Sequence, residues 1–152
     1  MLVQARTLVA AGALGTATSA QVHEAMAEPS ATAFLNVDLD LRGVAGIDQL
    51  LEALSDDVVI LNRGRNAVSV ELATQPQSAE EAIMKWGTLV ERLPPTLRET
   101  WHHCEARVFN IGIQAGSEPH AFYCGLSREA LGRLATLDGE VAVTVYAAPV
   151  SR

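Results

Sequence analysis

The clearest pattern along the chain is a strict alternation in Ala33–Leu41. Leu35, Val37, Leu39 and Leu41 fall on one side of an extended chain, and Asn36, Asp38 and Asp40 on the other. A period of two with one apolar and one polar row predicts a β-strand with one face in a core and one in water. Gly43 and Gly46 interrupt it. Ile47, Leu50, Leu51 and Leu54 then recur at i, i+3, i+4 and i+7, the spacing of a short amphipathic helix. Val58–Leu61 and Ala67–Leu72 predict two more strands. Between them, Gly64 and Asn66 tolerate the positive φ that a hairpin turn needs.

The second half follows the same rules. Ser78 and Glu81 have the spacing of a capping box and open the longest helix, with Ala82, Ile83, Trp86, Val90 and Leu93 as its buried stripe. Pro94 and Pro95 stop it. A short helix follows, with Leu97, Trp101 and Cys104 on one side. Arg107–Ile113 predicts a strand with Arg107, Phe109, Ile111 and Ile113 on one face, and Ala121–Leu126 predicts another. Ser127 caps a helix bearing Leu131, Leu134 and Leu137. After Asp138 and Gly139, Val141, Val143 and Val145 share one face of a last strand. The expected fold class is α+β. It is a two-layer sandwich in which one mixed, mostly antiparallel sheet of about six strands carries helices on one face. Its last helix and strand can close a right-handed parallel crossover.

The opening of the chain differs from the rest. Residues 1–25 hold one basic residue, Arg6, and one acidic residue, Glu24. Arg6, a weakly apolar middle and a small-residue exit at Thr18–Ala20 have the order of a secretory signal. Met26 also reads as a natural start. Residues 1–30 are therefore expected to be an extension outside the core fold, and residues 31–152 a single α+β domain. The expected compartment is the cytoplasm, or outside it if residues 1–20 act as a signal.

Composition narrows the function classes. With 49% hydrophobic and 19% charged residues, the chain of 152 residues is not an intrinsically disordered one, and it has no apolar run long enough to span a bilayer. Eleven basic against eighteen acidic residues leave a net charge of −7, and Lys85 is the only lysine. Without a basic patch to displace phosphate counterions, neither nucleic acid nor an anionic membrane is an expected partner. An acidic surface suits a basic protein partner, and it also serves simple solubility. Cys104 and Cys124 are too few for a disulfide framework and are expected as reduced thiols.

Candidate chemistry is sparse. His102 and His103 are adjacent, so on a helix they point about 100° apart and cannot share a metal. Glu99 or Cys104 with His103, His120 and Cys124 is the one conceivable ligand set, and a cysteine with His103 or His120 the one conceivable nucleophile pair. Ordinary buried thiols and histidines at a helix end account for the same residues without metal or catalysis. The sequence implies no cofactor. Asp38 and Asp40 share a strand face, but on a wet face no burial would tune their acidity. A broader feature is a polar sheet surface of Asn36, Asp38, Asp40, Asn110, Gln114, Thr144 and Tyr146, if their strands are neighbours.

The stretches Phe34–Leu41, Val108–Gln114 and Val141–Tyr146 together resemble a bacterial family of uncharacterised small domains, some of which stand among suspected immunity proteins of toxin systems. The resemblance covers about residues 33–147. It implies an α+β fold that ends on a leucine-rich helix and a strand closing in Tyr, and it assigns no functional residue. The expected function is a small acidic, non-catalytic protein-binding domain, with immunity-type neutralisation of a basic protein partner as one form of it. Asn36, Asp38, Asp40, Asn110, Gln114 and Tyr146 are its candidate contact residues. Two alternatives stay open: a small hydrolase or metal-dependent enzyme using His103, His120 and a cysteine, and a homo-oligomeric structural protein.

Overall fold

The alternating segment forms β1 (Ala33–Arg42) in the middle of a five-stranded sheet of order β2-β3-β1-β4-β5. The computed structural model describes residues 31–43 and 45–148, so the expected extension and its signal-like stretch lie outside the described residues. β2 (Val58–Arg63) and β3 (Ala67–Leu72) are the hairpin, and β4 (Ala106–Gln114) lies on the other side of β1. All these pairings are antiparallel. β5 (Glu140–Tyr146) joins β4 in parallel and makes the sheet mixed.

Four helices among the described residues complete the α+β fold: α1 (Ile47–Ala53), α2 (Ala79–Arg92), α3 (Pro95–His102) and α4 (Arg128–Thr136). Their limits follow from local chemistry. Ser78 Oγ accepts from the Glu81 N–H at 3.1 Å, and the Glu81 carboxylate accepts from the Gln77 N–H at 2.8 Å, which satisfies two donors at the start of α2. Leu93 turns extended ahead of Pro94, and Pro95 opens α3, where its missing N–H costs nothing. Ser127 Oγ caps α4 through the Ala130 N–H.

One face of the sheet carries the core. Leu39 pairs with Val70 on one side and Phe109 on the other, so the apolar rows of three strands coincide. Trp86 and Trp101 are fully buried against them, together with Leu50, Ile83, Leu134 and Leu137. Each indole has an outlet for its N–H, Trp86 to the Val37 carbonyl at 3.5 Å and Trp101 to the Leu137 carbonyl at 2.9 Å. The Arg107 guanidinium donates to the carbonyls of Trp101 (2.9 Å), Cys104 (2.6 Å) and Asp138 (3.0 Å). It thereby ties the end of α3 to the turn before β5.

The described residues form five strands where the pattern predicts about six. Ala121–Leu126 forms no strand, because both edges of β4 are already taken by β1 and β5. A parallel β4–β5 pair also needs a crossover, and this segment is its rising leg. A second correction lies in β1. The register shifts between Phe34 and Asn36, so Phe34 packs on the core and Leu35 turns out to the other side. The third concerns the last two elements: Leu131 and the row Val141, Val143 and Val145 are exposed, while Ala130, Leu134 and Leu137 make the buried side of α4.

Candidate functional site

The face of the sheet away from the core gathers the polar residues. Asp38 lies opposite Asn110, Asp40 opposite Ser69, Asn36 opposite Gly112, Gly112 opposite Thr144, and Gln114 opposite Tyr146. The six candidate contact residues thus share one stripe, about 20 Å long by the strand rise. Ser69 and Glu71 of β3 belong to it as well. The alternation of Ala67–Leu72 held this signal, since both stand between the core residues Val68, Val70 and Leu72. Leu35 also reaches this face. Only the bulge sends it there, and no residue pattern announces the bulge.

Most of these side chains hold one another in place. Asn36 Nδ2 donates to the Glu71 carboxylate at 2.8 Å, and the Ser69 hydroxyl donates to Asp40. Thr144 Oγ1 donates to Asn110 Oδ1 at 2.8 Å. Gln114 Nε2 donates to the backbone carbonyls of Tyr146 and Ala147, each at 3.2 Å, and so belongs to the frame of the stripe. The Asp38 carboxyl, at the centre, has no hydrogen-bond partner among the described residues, although its backbone belongs to the β1–β4 ladder. Burial, then the neighbouring carboxylates of Glu71 and Asp40, pushes its carboxyl from 3.8 up to about 6. The expectation that no burial would tune this face therefore fails at Asp38.

Gly112 leaves a shallow dip beside this acid. A methyl group at that position would stand 3.6 Å from the Leu35 Cβ, the Asn36 carbonyl oxygen and the Tyr146 ring. Leu35 and the half-exposed Tyr146 ring form an apolar rim to the dip, with the acidic stripe beyond it. The arrangement offers unneutralised negative charge, fixed acceptors and an aromatic surface, without an enclosed chamber.

The conceivable metal and nucleophile sets are not brought together. Cys104 is buried at the end of α3 with its Sγ 3.6 Å from the Thr100 carbonyl oxygen, and burial raises the pKa of its thiol, which makes it a poorer nucleophile. Cys124, His103 and His120 are exposed, the first and last on the irregular leg toward α4. Among the described residues no three His, Cys, Asp or Glu side chains are grouped to hold a metal ion. A cleft of about 430 Å³ opens between α2 and the end of β3, lined by Leu72, Met84 and Leu89 with Asp57, Lys85 and Arg92. None of the candidate histidines or cysteines reaches it.

No helix among the described residues is long and apolar enough to cross a membrane. Comparisons with models of protein families, with curated proteins and with solved structures find no match.

Proposed function

We propose that this chain is a non-catalytic binding domain whose polar sheet face receives a basic segment of a protein partner. The observation that carries the reading is Asp38. A half-buried carboxyl without a hydrogen-bond partner among the described residues, beside two further acids, is an unfavourable arrangement. An arginine or lysine from a partner would supply the missing counter-charge, and the Tyr146 ring would offer its face to the same cation. Neutralisation of a basic toxin by an immunity-type domain fits this surface, as does the resemblance to small bacterial domains of that kind. The enzyme alternative gains nothing from the scattered histidines and cysteines.

The test is a pull-down at low ionic strength with the full chain, wild type against Asp38→Asn/Asp40→Asn, and Glu129→Gln on α4 as the control. A partner retained by wild type and control, lost by the double variant and released by moderate salt is the expected result. If the folded double variant keeps every partner, the polar face is only a solvated surface.

A further inference from the structure

We infer that β5 is a self-association edge, and that a second copy of this chain pairs with it antiparallel across a two-fold axis at Val143. The inference starts from the backbone. The Tyr146 carbonyl accepts from the Ala115 N–H at 2.8 Å, so Tyr146 turns its polar groups inward to β4. By alternation, Val141, Val143 and Val145 turn theirs outward, away from the sheet. The same three residues lie across from Phe109, Ile111 and Ile113 on the helix-bearing face, but the helical layer does not cover them. They remain 45%, 57% and 60% exposed.

Natural edges are blunted by bulges, charges, proline or shortness. The other edge of this sheet shows such devices. β2 has a register shift between Ile60 and Asn62, and Arg63 at its end pairs with Asp48. β5 has no register shift, no proline and no basic residue, and its single charge is Glu140 at one end.

That placement selects the occupant. With Val143 on the axis, Val141 meets Val145 of the second copy and Ala142 meets Thr144, so outward N–H groups face outward carbonyls. Glu140 meets Tyr146, and the two Glu140 carboxylates stand at opposite ends of the seam. A chain of net charge −7 repels itself over most of its surface. This edge brings two copies together without opposing like charges. The valine rows join into one apolar strip, and the two polar faces become one continuous surface.

The contact is small. A seven-residue strand about 23 Å long presents a few hundred Å², below the roughly 800 Å² per partner of a standard interface. Dimerisation is therefore expected with a Kd of about 10 to 100 μM.

Sedimentation velocity of the full chain across and above that range tests the inference, with amide hydrogen exchange at Val141, Val143 and Val145 read alongside. The expected result is a concentration-dependent dimer, with exchange at these amides slowed about tenfold at the upper end. Val143→Lys should leave a folded monomer, and Val59→Lys on β2 a normal dimer. Should Val143→Lys fail to fold, exchange in the wild type decides by itself. A monomer at every concentration overturns the inference, as does a dimer with unprotected β5 amides or one that survives Val143→Lys. Protection independent of concentration would mean that residues 1–30 cover the edge, and would overturn it equally.

Discussion

The two faces of β1 belong to the same ten residues and serve opposite ends. On one, Val37, Leu39 and Leu41 are almost wholly buried beneath the helices. On the other, Asn36, Asp38 and Asp40 are half-buried among other polar groups, and the middle one is an acid held partly neutral by its surroundings. The first face stores stability. The second forgoes some of it, because a half-buried Asp among Glu71 and Asp40 is worse placed than in water. A surface kept polar against its own stability is what a binding site for positive charge would look like. This difference gives the pair of faces more functional content than either alone.

The comparison is most easily broken at Leu39. Truncation to Ala leaves a cavity at the sheet centre between Val70 and Phe109, and should cost about 3 kcal/mol in urea denaturation. A loss below about 1 kcal/mol would mean that the helix-facing row is not the store of stability described above.

Asp38→Asn sharpens the comparison in the opposite direction. The folded state holds the Asp38 proton more tightly than the unfolded chain does. The stabilisation linked to that proton is complete below pH 3.8 and is lost as pH rises to about 6. Asn removes the penalty, so at pH 7 the variant should be more stable than wild type, by about 1 kcal/mol after allowing for screening at the open side of the carboxyl. The gain should vanish below pH 4. Urea melts of both proteins from pH 3.5 to pH 7.5 measure it, and equal stability throughout would place Asp38 in full contact with water.

The smallest effect is expected at Ser69. Its hydroxyl donates to Asp40, and Ser69→Ala should cost less than about 1 kcal/mol, since water can replace the donor on an open face. A loss of the size expected at Leu39 would show that the polar network, too, holds the fold together.

Much of this architecture is already written in the local sequence. The alternation in β1 from Asn36 onward, the capping serines Ser78 and Ser127, the stop at Pro94 and the hairpin between β2 and β3 depend on neighbours a few residues apart. Each forms where the pattern places it, although the hairpin turns without positive φ at Gly64 or Asn66. The acidic row of β1 was legible for the same reason. That Ser69 and Glu71 share the face of β3 opposite Val68 and Val70 is legible in its alternation, but that this face lies beside the acidic row is not.

What only the tertiary structure decides is pairing and cover. A periodic row tells which residues share a face, not what lies over that face or which strand lies beside it. Val141, Val143 and Val145 share one apolar face, yet they lie on an edge strand beyond the helical layer, where alternation carries no information about cover. Ala121–Leu126 has an apolar run fit for a strand, but β4, the strand it follows, already has a strand on each side, and the segment crosses over to α4 instead. Leu35 changes sides through a bulge fixed by the β1–β4 register, an interaction across some 75 residues of chain. The raised pKa of Asp38 likewise needs its burial within the sheet and then Glu71 beside it, both made by strand pairing and invisible to spacing along the sequence. Local periodicity is a short-range property of the chain, whereas cover, register and electrostatic environment arise only when distant segments meet.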